Sequence, residues 1–311
     1  STPDRPAAAP LPPSGPQPGG PGWTGRRRPA AQPVYPLAAE GAHARQAVSV
    51  LHLAGPGFGR GADPADLQAA IWGSLVELTD AGAPAPDLLV VTGDLTASGG
   101  PRECDQALAF LTGLRARLGL AADRLVVVPG GQDVSLAASR AYFSSCEADE
   151  LRPRPPYWPK WRHYARLFQE LYQGLDVVFD ADQPWSLFPV PALRTVVAGL
   201  NSSMAHSHRP EDQYAWLGPE QAAWFAQALR RYEQDGWLRL GALRHPPDTT
   251  RPIDGGRGTA ASPGGREHGR AGERGLRHGA AALRDTDTLA RLVAPRLHVL
   301  LHGPHGAPRS V

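Results

Sequence analysis

Short apolar runs alternate with amphipathic stretches along most of the chain, and this alternation predicts strands and helices in turn. Runs typical of strands occur at 48–53, 88–91, 125–128, 185–190, 193–200, 237–243 and 297–301. Helical spacing of apolar residues follows the Asp63-Pro64 start signal, and it recurs over 103–118, 161–172, 218–233 and 285–293. We therefore expect an α/β fold with mostly parallel sheets covered by helices, with sites at the carboxyl ends of strands.

Two segments depart from this pattern in composition. Residues 1–36 contain eleven prolines and few apolar residues, which predicts a disordered Pro-rich tail over 1–46. Residues 251–282 are rich in Gly and Arg and predict a flexible insertion. The expected organisation is thus a tail followed by a folded domain over 47–311 that contains this insertion.

The formal net charge of +2 is unevenly distributed, since residues 47–250 carry a net charge of −6. An acidic body argues against nucleic-acid binding on the core, because phosphate neutralisation dominates such binding. There is neither an apolar run of about 18 residues nor a secretory signal in this sequence. The two cysteines, Cys104 and Cys146, support neither a disulfide framework nor a zinc site. These features predict a cytoplasmic protein without a membrane partner.

The segments that follow the predicted strands contain a series of recognisable blocks. They read Gly55-Pro56-Gly57, Gly93-Asp94, Gly130-Gly131-Gln132-Asp133, Arg244-His245-Pro246 and His302-Gly303-Pro304-His305-Gly306. In order and spacing they resemble the calcineurin-like metallophosphoesterases, whose blocks are Asp-x-His, Gly-Asp, Gly-Asn-His-Asp/Glu, a His ahead of x-Pro, and Gly-His-x-His. The resemblance extends over about residues 47–311 and includes a helix with Gln221 and Trp224. It implies a four-layer α/β/β/α sandwich with mixed sheets, whose last strands are either missing or follow residue 311.

The same resemblance implies that the family's two-metal site is degenerate in this chain. Its ligand positions correspond to Gly55, Gly57, Asp94, Gly131, Gln132, Arg244, Pro304 and Gly306. Of these, Asp94, at the position of the bridging Asp, keeps a ligand side chain, whereas Gly and Pro side chains offer no donor atom. Arg244 adds a fixed positive charge at a ligand position. We therefore expect no metal cofactor and no catalytic residue.

The resulting prediction is a catalytically degenerate domain that acts as a binding or scaffold module within a larger protein. Its expected partner is an unknown protein or a phosphate-containing ligand. The alternative is a metal-dependent phosphoesterase, acting on phosphomonoesters or phosphodiesters, with a rebuilt site for Mn or Zn. Histidines near the same rim offer imidazole ligands for such a site, although surface loop histidines are the simpler interpretation; they are His206, His208, His245 and His302.

Four smaller expectations concern individual groups. Gly57, Gly130 and Arg244 offer backbone N–H groups and a guanidinium for an anion. Asp94 is expected to form an Asx turn, and Asp133 to cap a helix over 134–140. The aromatic residues 157, 158 and 161 are expected to pack in the core or a lid, with a partner-binding surface as the alternative.

Overall fold

The computed structural model describes residues 47–61, 63–247 and 282–304. The predicted tail 1–46 and nearly all of the predicted insertion lie outside these residues, as do His305 and Gly306 of the last block.

Three parallel strands form the first sheet, in the order β1 (Val50–Leu53), β2 (Leu88–Thr92) and β3 (Leu125–Val128). Every residue of β2 and β3 is buried, whereas β1 is half-buried throughout. Continuous apolar sequences of this kind are typical of parallel strands that are covered on both faces. The strand positions agree with the sequence prediction.

Four helices belong to this half of the chain: α1 (Pro64–Asp80), α2 (Pro101–Arg117), α3 (Leu136–Ala148) and α4 (Arg162–Leu171). The N-cap of α1 is Asp63, whose Oδ1 accepts a hydrogen bond from the Ala65 N–H at 2.8 Å. Ser135 caps α3 by accepting from the Ala138 N–H at 3.3 Å. The expectation that Asp133 caps this helix is therefore wrong, because Ser135 lies closer to the helix start.

The second sheet has the order β4 (Ser186–Val190), β5 (Thr195–Gly199), β6 (Leu238–Leu243) and β7 (Val299–His302). β4 is antiparallel to β5, and the other pairs are parallel. The helix α5 (Pro219–Gln234) precedes β6. A second helical stretch precedes β7; it begins as the α-helix α6 (Thr286–Thr288) and continues as a π-helix over Leu289–Val293. β2 packs against β6 and β3 against β5, so the carboxyl ends of strands from both sheets come close together.

The architecture is thus α/β, with two sheets and helices on both sides, as the alternation predicted. A cluster of rings lies between α4 and β4, and Trp161 and Phe168 within it are almost fully buried. The expected core packing of Trp161 is therefore confirmed. Both cysteines are buried and free. Within the described ranges, no helix has the length and apolar character that a membrane span requires.

Candidate functional site

The centre of the candidate site is a buried ion pair that joins the two sheets. Asp94 follows β2 in the first sheet, and Arg244 follows β6 in the second. The Nε atom of Arg244 donates to Oδ2 of Asp94 at 2.6 Å, and the two side chains are only 3% and 10% exposed. The expected Asx turn of Asp94 is therefore wrong, because its carboxylate pairs with a residue 150 positions away in sequence.

The second oxygen of Asp94 and the end of the Arg244 side chain are engaged as well. The Gln132 N–H donates to Oδ1 of Asp94 at 3.0 Å. The Nη1 group of Arg244 donates to the carbonyl oxygen of Pro304 at 3.4 Å. The blocks after β2, β3, β6 and β7 thus meet around one guanidinium and one carboxylate. Of the predicted positions, the structure brings together Asp94, Gln132, Arg244 and Pro304, and it also places Gly55 and Gly57 beside Asp94.

Glycines surround this ion pair, and at several of them the backbone lies so close to the pair that a Cβ atom would not fit. A Cβ at Gly130 would collide with the carboxylate of Asp94, and one at Gly303 would collide with the guanidinium of Arg244. At Gly93, where φ is +73°, a Cβ would lie 2.9 Å from Cβ of Arg244. Real Cβ contacts are longer than this, so a larger residue would displace the backbone. These glycines make room for the ion pair.

The backbone N–H groups expected to bind an anion already have acceptors within the chain. The Gly57 N–H donates to the Asp94 carbonyl at 2.9 Å, and the Gly55 N–H to the Gly93 carbonyl at 3.2 Å. The Gly130 N–H donates to Oδ2 of Asp133 at 2.8 Å. With Arg244 paired and buried as well, the geometry does not support the expected anion site of Gly57, Gly130 and Arg244.

Asp133 is a second buried carboxylate close to the ion pair. Its Oδ1 atom accepts from the backbone N–H of Thr96 at 2.9 Å and from the Thr96 hydroxyl at 3.0 Å. Together with the bond from Gly130, these contacts tie the segment after β2 to the segment after β3. Burial and then the charge of Asp94 raise the pKa of Asp133 to about 7, against the opposing effect of its hydrogen bonds.

The four candidate histidines do not form one cluster. His206 and His245 stack with ring centroids 5.4 Å apart, and Nδ1 of His245 lies 2.8 Å from the Ser202 hydroxyl. Burial lowers the pKa of His245 to about 4, against the opposing charge of Asp94. His208 instead contacts Ser139, and Nδ1 of His302 lies 2.8 Å from the Gly303 carbonyl oxygen. In the part of the chain described by the structure, no three His, Cys, Asp or Glu residues are grouped as metal ligands.

The side chains present do not fit the two divalent metals that the site of the calcineurin-like metallophosphoesterases would hold. Gly55, Gly57 and Gly131 contribute no donor atom, and a Cβ at Gly131 would lie 2.8 Å from Nε2 of His206. The carboxylate of Asp94, which matches the bridging ligand, already faces a guanidinium at 2.6 Å. A divalent cation at Asp94 would have to displace that positive charge, so its binding there is electrostatically unfavourable.

Lys160, for which the sequence pattern predicted no role, organises the segment that carries His206. Its Nζ atom donates to the carbonyl oxygens of Ser203, Met204 and His206 at 3.0, 2.8 and 2.6 Å. These three acceptors match the three N–H bonds of an ammonium group, which also lies 4.1 Å from the ring centroid of Trp161. Burial lowers the pKa of Lys160 well below its ordinary value. It is the chain's single lysine, beside 31 arginines.

Gln221 on α5 fixes the beginning of the same segment. Its Oε1 atom accepts from the Asn201 N–H at 2.7 Å, and its Nε2 atom donates to the Asn201 carbonyl at 2.9 Å. The side chain of Asn201 in turn accepts from the Ser203 N–H at 2.9 Å. The segment after β5 is therefore held at both ends by buried hydrogen bonds.

Comparison with models of known protein families found no match for this chain, and comparison with curated protein sequences found none either. The resemblance to the calcineurin-like metallophosphoesterases therefore rests on the order of the blocks.

Proposed function

We propose that this chain is a degenerate member of the calcineurin-like metallophosphoesterases that serves as a non-catalytic binding or scaffold module. The proposal includes the family's four-layer α/β/β/α arrangement, for which the two sheets and the helices on both sides provide support. The observation that carries it is the contact between Arg244 and Asp94.

A carboxylate buried at the position of Asp94 requires a positive charge close to it. A buried Asp without a partner is costly, and in the family that partner is a pair of metal ions. Here the guanidinium of Arg244 supplies the positive charge, and its tether to β6 makes the neutralisation independent of any dissolved ion. The fold therefore keeps its charge balance across the two sheets without the chemistry that a metal-bound hydroxide would perform.

Metal content separates this proposal from the phosphoesterase alternative. The protein is purified without chelator and dialysed against Mn²⁺ and Zn²⁺, and bound metal is measured by elemental mass spectrometry. We expect far less than one equivalent, an unchanged melting temperature in chelator, and no hydrolysis of p-nitrophenyl phosphate or bis-p-nitrophenyl phosphate. One or two tightly held equivalents, lost in Asp94→Asn but kept in the exposed control Asp105→Asn, would refute the proposal.

A further inference from the structure

A surface of tyrosines and arginines borders the candidate site. It is formed by α3, by the segment before Trp158 and by the segment after β5, together with the chain that precedes α6. We call it the Tyr–Arg surface, and it consists of Tyr142, Phe143, Tyr157, Arg209, Tyr214 and Arg284.

Ring contacts hold this surface together around Phe143. The centroid of the Phe143 ring lies 4.9 Å from that of Tyr157 and 5.9 Å from that of Tyr142. Tyr142 and Tyr157, which are half-exposed, therefore lie beside one buried phenylalanine. Tyr214 follows the turn Pro210–Asp212 that begins after Arg209, and the Arg284 N–H donates to the carbonyl oxygen of the next residue, Ala215, at 3.0 Å.

Two exposed arginines are stacked on these rings. The Cζ atom of Arg209 lies 4.6 Å from the centroid of Phe143, and that of Arg284 lies 3.8 Å from the centroid of Tyr214. Stacking restricts the orientation of each guanidinium and leaves its N–H edge directed away from the ring face. The side chains are thus ordered in advance, which reduces the entropy lost when they bind a ligand.

Neither arginine has an acidic partner within the described ranges. The salt bridges there involve Arg166, Arg231, Arg244 and Arg296, and none of them reaches this surface. Arg140 and Arg154 are also exposed beside it and likewise lack a carboxylate partner in that part of the chain. The charge of Asp212 acts on Tyr157 and His208 at this surface, but its Oδ2 atom accepts from the Ser207 hydroxyl at 2.6 Å and it forms no ion pair with Arg209. A guanidinium held in place without an ion-pair partner is suited to a bidentate hydrogen bond with a carboxylate from another molecule.

We propose that the Tyr–Arg surface binds an acidic segment of a partner protein, whose carboxylates pair with Arg209 and Arg284 while its backbone lies on the tyrosines. This inference rests on the proposed module function, for which it names the chemistry of the partner. Tyr and Arg are also the residues that most often dominate protein interfaces. A protein segment is favoured over nucleic acid because two guanidiniums can pair with two carboxylates, whereas nucleic-acid binding depends on neutralising many phosphates, which the net charge of −6 over residues 47–250 opposes.

The test is fluorescence anisotropy with a labelled oligoglutamate peptide, compared with oligoglutamine of the same length and with single-stranded oligothymidylate. The variants are Arg209→Gln with Arg284→Gln, and the matched control is Arg230→Gln, an exposed arginine of α5. We expect oligoglutamate alone to bind, and the paired substitution to weaken that binding by about tenfold or more. Arg230→Gln should change it by less than about twofold. The paired change of both arginines to lysine should weaken it too, because lysine retains charge without the planar fork.

Each other outcome overturns the inference. Equal binding of oligoglutamine would show that carboxylates are not recognised, and tighter binding of oligothymidylate would make the surface a nucleic-acid site. An unchanged affinity after the paired glutamine substitution, in a protein whose unfolding curve matches the wild type, would place the binding elsewhere. The metal measurement is independent of these results, so failure of the module proposal and failure of this surface are distinguishable.

Discussion

Replacing Arg244 by Met tests the candidate site most directly, because it removes the cation that faces Asp94 and retains a long side chain. The carboxylate then remains buried with the hydrogen bond from the Gln132 N–H and no ion-pair partner in the described chain. Removal of one partner from a buried ion pair costs about 3–5 kcal/mol of unfolding free energy. Asp94→Asn, which leaves the guanidinium without its carboxylate, should cost a similar amount.

The strength of the pair can be estimated from its geometry. Two unit charges whose centres are about 4 Å apart attract each other by ~4 kcal/mol at an effective dielectric constant of about 20. The low exposure of both side chains, 3% and 10%, keeps screening by solvent small. The double variant Arg244→Met with Asp94→Asn buries neither charge. We therefore expect it to be about 2–4 kcal/mol more stable than the sum of the two single effects predicts.

The measurement is urea unfolding followed by tryptophan fluorescence, with equal m-values required for all four proteins of the cycle. A matched control is the exposed pair of Arg166 and Asp105, in which each side chain is 56% exposed. The coupling between Arg166→Met and Asp105→Asn should be about 0–1 kcal/mol. If the effects of Arg244→Met and Asp94→Asn add to within about 0.5 kcal/mol, Arg244 does not neutralise Asp94 and the argument for the module fails.

Three further predictions concern neighbouring features. Because the pKa of Asp133 is raised to about 7, the folded state holds a proton that the unfolded chain releases near pH 4, so unfolding free energy should fall as pH rises from about 4 to 7. Urea titrations across that pH range should show this decrease, and Asp133→Asn should remove it. If the decrease persists in the variant, a group other than Asp133 causes it. Lys160→Met leaves three buried carbonyls without their donor, so it should lower the unfolding free energy by at least ~3 kcal/mol and speed amide hydrogen exchange over residues 203–206. A decrease of less than about 1 kcal/mol would contradict this role of Lys160. Replacement of residues 248–281 by a short Gly-Ser linker should change the unfolding free energy by less than about 1 kcal/mol, because the Leu283 N–H donates to the Pro246 carbonyl and holds the flanking residues together. If that variant does not unfold cooperatively in urea, the segment supports the fold and the prediction is wrong.

The sequence predicted the strands well because each is a short apolar run with a clear boundary. Leu125–Val128 was located to the residue, and the start of α1 followed from the cap residue and the proline after it. The helix α3 was predicted only in its first half. Its buried residues are few and include Ser139 and small side chains, while Leu136 at its start is exposed, so its apolar periodicity is weak.

The site was predicted as a location but not as an interaction. The family resemblance matched Asp94 and Arg244 to ligand positions of one metal site, which is why they were expected near each other. Their contact depends on the distance between two sheets and on a side-chain direction, and no local pattern encodes either of these. The role of Lys160 escaped prediction for a similar reason, since its three acceptors are backbone atoms more than 40 residues away.

Two kinds of glycine lie near the ion pair, and the structure separates their constraints. At Gly55, which the resemblance matches to a metal ligand, an added Cβ would make only an ordinary contact, 3.9 Å from Cβ of Asp94, so the constraint there is the positive φ of 64°. Gly130 and Gly303 match glycines of the family's blocks, and at these two positions an added Cβ would collide with the ion pair itself. Their lack of space indicates that these two glycines and the guanidinium form one arrangement, in which the close approach of the backbone is needed to bury Arg244 against Asp94.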